Sequence, residues 1–115
     1  MIITKSEPYT KGEIEKLREK FDTFVKTVID INQQICSAGM DRHFEGEQIL
    51  LEGGSKQSDI WGGSIDIETK IVGYNSFINI RPTNDNSSNE ILDSQKREIY
   101  KKLSEYFFKD IYDEK

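Results

Sequence analysis

Arg81 closes the stretch NSFINIRP at residues 75–82, and no other arginine stands between Arg42 and Arg97. Side chains alternate along a strand, so Asn75, Asn79 and Arg81 would share one face there. A guanidinium beside polar donors can grip a carboxylate or phosphate bidentately. Asn86 and Ser88, in the polar run that follows, extend the same candidate ligand-binding set. The plainer alternative is an ion pair between Arg81 and Asp66, Asp59 or a neighbouring acid, pinning a strand-to-loop corner. His43 is the single histidine, and its ordinary pKa near neutrality suits acid–base work. With Asp59 or Glu45 to orient it, His43 could act as a general base. His43, Asp59 and Arg81 would then be the catalytic set of a small hydrolase or RNase-like enzyme. A lone histidine also has a purely structural reading.

Other groups point to less. No second histidine and no cysteine cluster accompanies His43, so no zinc ligand set exists. Asp30, Glu52, Asp59 and Asp66 could together hold magnesium or calcium, but nothing has the spacing of an EF-hand loop. Gly53-Gly54-Ser55-Lys56 lacks the order of a phosphate-cradling loop, and no dinucleotide fingerprint is present, so no cofactor is expected. Trp61 precedes Gly62-Gly63 and reads as a core or edge anchor, with a pocket wall as the alternative. Cys36 reads as a small buried hydrophobe.

The elements that must position these residues follow from periodicity. Ile2 and Ile3 open a short strand that ends at Glu7-Pro8. Thr10-Lys11-Gly12-Glu13 fits a helix capping box, with Tyr9 and Ile14 as a hydrophobic staple. Ile14, Leu17, Phe21, Phe24, Val25 and Val28 continue at helical spacing. Val28–Ile31 and Ile35–Ala38 read as a hairpin. His43 to Leu51 makes a short helix stopped by Gly53-Gly54. Residues 63–68 alternate as a strand, and Ile71–Arg81 reads as the longest strand, with Ile78 and Ile80 inward and Pro82 as its stop. A helix beginning near Asp93-Ser94 carries Ile99, Leu103, Tyr106, Phe107 and Ile111 on its core stripe. Phe108 and Tyr112 lie off that stripe, and either form a homodimer contact or pack beneath the N-terminal strand. The expectation is a single α+β domain over 1–115. Its order is β-α-β-β-short α-β-β-α, with a mainly antiparallel sheet and helices packed on one face.

Charge narrows the partners. The chain has a net charge of −5, and residues 29–93 hold four Lys/Arg against eleven Asp/Glu. A duplex-binding surface needs clustered cations, so stable nucleic-acid binding is disfavoured. No apolar run spans a membrane, and the first residues lack a signal-peptide core. One cysteine precludes an internal disulfide, which suits a reducing cytoplasm.

The stretches VIDI at 28–31, LLEGGSKQSDIWG at 50–62 and NSFINIRP at 75–82, with His43, Asn86 and Ser88, carry a family resemblance. In them the chain resembles a family of small prokaryotic proteins of unknown function. The resemblance implies a shared fold and carries no activity. Ser87 and Asn89 depart from it, standing where similar proteins often have basic residues, which weakens a phosphate site in that loop. The reading that results is a binding or interaction module for a small molecule or protein, with the His43–Arg81 enzyme as the alternative.

Overall fold

The computed structural model describes residues 2–81 and 86–112. The chain opens with strand β1 (Ile3–Lys5) and helix α1 (Lys11–Phe21). The capping box is present: Thr10 Oγ1 accepts from the Glu13 N–H at 3.2 Å, and the Glu13 carboxylate accepts from the Thr10 N–H at 2.8 Å. Ile14 and Leu17 face the core. The helix ends at Phe21 because Asp22 takes a left-handed φ of 59°.

Strand β2 (Phe24–Asp30) begins four residues earlier than the periodicity implies. Phe24, Val25 and Val28 therefore belong to the sheet rather than to the helix stripe. Thr23, Val25, Thr27 and Val28 are β-branched, and their stiff side chains suit a pleated surface better than a helix. Strand β3 (Ile35–Ala38) returns antiparallel to β2. Asp30 stabilises the turn between them: its Oδ1 accepts from the N–H groups of Asn32 and Gln33 at 2.9 and 2.8 Å. That local partnership satisfies Oδ1 of this fully buried carboxylate, while Oδ2 has no partner among the described residues.

Helix α2 (His43–Glu52) ends at Gly53, and Gly54 takes a left-handed φ of 102°. Strands β4 (Ile60–Asp66) and β5 (Val72–Gly73) follow. Asp93 Oδ1 caps helix α3 (Ser94–Phe107) through the N–H groups of Gln95 and Lys96, and a short turn α4 (Lys109–Tyr112) ends the described chain. These five strands make one antiparallel sheet in the order β1-β3-β2-β4-β5.

Helices cover both faces, where the sequence reading placed them on one. Alternation puts Val25, Thr27 and Ile29 on one face and Lys26 and Val28 on the other. The first face meets α1 and α3 in the main core, which includes Leu17, Trp61, Ile65 and Tyr100. There Tyr100 Oη and Thr27 Oγ1 lie 2.6 Å apart, both buried. Phe108 belongs to this core as well. It is fully buried with its ring 4.9 Å from that of Tyr9, and Tyr112 Oη donates to the Lys70 carbonyl at 3.0 Å. Of the two expectations for this pair, Phe108 follows internal packing rather than a homodimer contact. On the second face α2 lies over Val28, in a smaller cluster with Met40, Leu50 and Ile60.

The largest departure lies in Ile71–Arg81. Only Val72–Gly73 pairs as a strand; Phe77–Asn79 forms a 3-10 turn started by Ser76, whose Oγ accepts from the Ile78 N–H. The expected faces are reversed from Asn79 to Arg81, whereas Asn75 and Phe77 face outward as expected and Ile78 is partly buried against the smaller core cluster. Asn79 is fully buried, while Ile80 is 45% and Phe77 84% exposed. Pro82 lies outside the described residues.

The reason is the Asn79 side chain. Its Oδ1 accepts from the Gly62 N–H at 2.8 Å and its Nδ2 donates to the Gly62 carbonyl at 2.9 Å. The carboxamide thus pairs with one residue of β4 as a neighbouring strand's peptide would, beyond the point where β5 stops. Asn86 acts similarly one layer out: its Nδ2 donates to the carbonyls of Asn79, Ser88 and Glu90, and its Oδ1 accepts from the Leu92 N–H.

Replacing Asn79 with Ala strands a buried N–H and several carbonyls. Each unsatisfied buried group costs about 1–3 kcal/mol, so Asn79→Ala is expected to lose about 2–4 kcal/mol in urea-unfolding midpoints at unchanged slope. Asn79→Asp, isosteric but without a donor, should lose a comparable amount. Stability equal to the parent in either variant would show that the carboxamide is dispensable.

Candidate functional site

Gly62 and Gly63 in the middle of β4 allow three elements to meet there. A Cβ on Gly62 would lie 2.6 Å from Ser76 Cβ and 3.1 Å from His43 Cδ2. On Gly63 it would lie 2.8 Å from Tyr100 Oη, on the opposite face, and collide with the Gly73 carbonyl. The sheet floor is therefore bare backbone under His43 and Ser76. His43, the first residue of α2, uses this by placing Nε2 2.7 Å from the Gly63 carbonyl. A carbonyl only accepts, so Nε2 carries the proton and Nδ1 of the neutral ring is left as an acceptor. Burial holds His43 below its ordinary 6.5, with the Lys26 ammonium pushing the same way and the Gly63 hydrogen bond opposing them.

Above this floor opens a cleft of about 390 Å³ between the start of α2 and the 3-10 turn. Phe44, Phe77 and Ile78 form its apolar walls, and Lys26, Arg42 and His43 its polar side. A recess of about 230 Å³ shares Lys26, His43, Ser76 and Phe77 and extends it to Asn75 and Asn89. Phe44 is 49% exposed, so two solvent-facing aromatic rings stand at one opening. Lys26 Nζ donates to the Asp41 carbonyl at 2.7 Å, which leaves the ammonium with further donors. Among the described residues, neither the cleft nor its recess is lined by a carboxylate.

The expected catalytic residues do not meet here. Asp59 precedes β4 and stands four residues, about 13 Å of extended strand, from Gly63. Arg81 is committed elsewhere, and its partner is Glu47 rather than Asp59 or Asp66. NH2 lies 3.2 Å from Glu47 Oε2, NH1 donates to the Gln57 carbonyl at 2.6 Å, and the guanidinium carbon sits 4.9 Å from the centre of the Trp61 ring. Both members of the ion pair are buried, with side chains 7% and 10% exposed. Arg81 Nε and Trp61 Nε1 have no partner among the described residues, and Lys96 approaches the same indole to 5.2 Å.

The expected ligand-binding residues divide likewise. Asn79 and Asn86 spend their carboxamides on backbone, and Ser88 Oγ accepts from the Glu90 N–H at 3.1 Å. Asn75 is exposed, pairs across an isolated bridge with Glu90, and lines the recess beside His43. The structure thus brings His43 and Asn75 together and sends Asp59 and Arg81 away.

Sequence reasoning missed Lys26, Arg42, Phe44, Ser76 and Phe77. One signal was present: Phe77 is a large apolar side chain between Asn75 and Asn79 on the face that also holds Ile71 and Arg81. Cys36 is fully buried, and burial pushes its thiol up to about 12, so it stays protonated. Among the described residues no cluster of three metal-ligating side chains occurs, and no helix is long and apolar enough to cross a membrane.

Residues 1–106 match the model of a family described as Protein of unknown function (DUF5674). No curated protein and no solved structure matches the chain.

Two outcomes follow from this geometry. The unfolded chain takes up a proton at His43 near 6.5, before the folded chain does. The stability tied to the neutral ring is therefore complete above that value and is lost as pH falls toward the lower folded value. His43→Gln should flatten the fall in stability between about pH 7.5 and 5.5, and NMR titration of the single histidine should give a midpoint below 6.5. At the second corner, Arg81→Met alone leaves Glu47 buried and unpaired and should cost about 3–5 kcal/mol. Glu47→Leu combined with Arg81→Met should recover most of that loss, measured as a double-mutant cycle in urea.

Proposed function

The chain belongs to that family, and we propose that it is a ligand-binding module whose site is the cleft between Phe44, His43 and Phe77. The observation that carries this reading is the cleft itself: a concavity of about 390 Å³ with apolar walls and a few polar groups at its margin. Its volume and composition are those of small-molecule sites. Phe77, at 84% exposure, is held out by a 3-10 turn whose ends are fixed by Ser76 and by the buried Asn79. Exposing an aromatic ring forgoes the stabilisation its burial would give, and a ligand that covers the ring recovers it. The wall is preorganised, because the turn that carries it is tied to β4 through two hydrogen bonds.

Binding rather than acid–base catalysis is favoured by the neighbours of His43. Its Nε2 proton is directed at the Gly63 carbonyl, no carboxylate among the described residues lines the cleft to orient the ring, and Arg81 is occupied by Glu47.

The test is a titration of the ¹⁵N-labelled full chain with a chemically broad fragment set, followed by amide shifts. Binders should move Lys26, His43, Phe44, Ser76 and Phe77 together. Phe77→Ser should abolish those shifts while leaving the rest of the spectrum and the unfolding midpoint unchanged. Fragments that map only to other surfaces would overturn the proposal.

A further inference from the structure

The protein carries five more negative than positive side chains, and residues 29–93 are the acidic part. The cleft is built largely from that part, yet among the described residues its lining holds two cations and no acid. Arg42 forms no ion pair among the described residues, and Lys26 is bonded only to a neutral carbonyl. Burial lowers the His43 pKa, so among the described lining residues the charge comes from Lys26 and Arg42. The Glu45 carboxylate lies outside the lining and accepts from the Arg42 backbone N–H at 2.9 Å. These two cations stand at the same opening as two exposed phenyl rings. Flat aromatic faces favour a flat ligand that stacks on them. A carboxylate-free pair of cations favours an anion, for which charge-assisted hydrogen bonds are the stronger kind.

We infer that the cleft takes a small planar ring bearing one anionic group, with the ring against Phe77 and Phe44 and the anion toward Lys26 and Arg42. This rests on the binding reading above and adds the chemistry of the ligand to it. Two sources present that chemistry: a nucleoside monophosphate, and an aromatic carboxylate. The two differ in the length of the spacer between ring and charge, and in whether the anion is a phosphate or a carboxylate.

The experiment compares matched probes on the full chain by the same amide shifts. The probes are adenosine monophosphate, 2-naphthoate, adenosine, cyclohexanecarboxylate and inorganic phosphate. At least one of the first two should saturate shifts at Lys26, His43, Ser76 and Phe77. Whichever of the two binds more tightly identifies the source. Adenosine and phosphate, or cyclohexanecarboxylate, each present half of the chemistry and should bind at least about tenfold more weakly than the matching whole probe. Arg42→Glu, at an exposed position, should weaken the charged probe by about tenfold or more and leave adenosine unaffected. Lys26→Gln should act in the same direction. If adenosine binds the cleft as tightly as adenosine monophosphate, the anionic assignment falls, and if cyclohexanecarboxylate binds as tightly as 2-naphthoate, the planar-ring assignment falls; in either case the binding module stands. If no probe and no fragment moves the cleft residues, both fall.

Discussion

A single carboxamide closes the sheet. Asn79 accepts from the Gly62 N–H and donates to the Gly62 carbonyl, so one side chain serves as the next strand for one residue of β4. The chain after β5 is thereby released from pairing as a strand and turns instead, with Ser76 at the start of the turn and Phe77 at its outer corner. The position of Phe77 and the opening beside His43 depend on that pairing, over a floor left bare by Gly62 and Gly63. The alternative, a regular strand through residue 81, would pair those residues along β4 and leave no outer corner for Phe77.

This arrangement explains what the sequence could and could not convey. The capping box at Thr10 and Glu13, the stop at Gly53-Gly54 and the burial of Trp61 were legible, because each is a local rule with one outcome. The placement of Asn79 and Ile80 was not, although Ile78 does pack inward, against the smaller core cluster. Alternation in NSFINIRP cannot distinguish an asparagine facing water from one that imitates a peptide, since both look polar. The two readings give opposite faces, and Ile80 at 45% exposed against Asn79 fully buried shows which one holds. The early start of β2 was missed for a different reason. Phe21, Phe24, Val25 and Val28 fit helical spacing, but a left-handed Asp22 interrupts them.

The residues richest in apparent chemistry are also the ones most engaged in structure. Arg81 pairs with Glu47 and stacks on Trp61, Asn86 gathers three carbonyls, and Asp30 shapes a turn. Type and rarity marked these residues, and burial accounts for them: a polar group inside a small domain must find partners. The cleft was hard to anticipate because its members are unremarkable singly and come from four places in the chain: Lys26 on β2, residues 42–44 at the start of α2, residues 75–78 in and before the turn, and Asn89 at the recess.

A peptide imitated by a side chain has one further property. An ordinary sheet edge offers a ladder of N–H and carbonyl groups on which another molecule's strand can dock, the first step of fibril growth. At Gly62 that ladder is met by a carboxamide, and the backbone beyond it, Tyr74–Ser76 against Asn89–Ile91, is already paired with itself. The same atoms that shape the cleft therefore act as a terminator for the sheet, and the protein guards that stretch of edge with one asparagine instead of another strand.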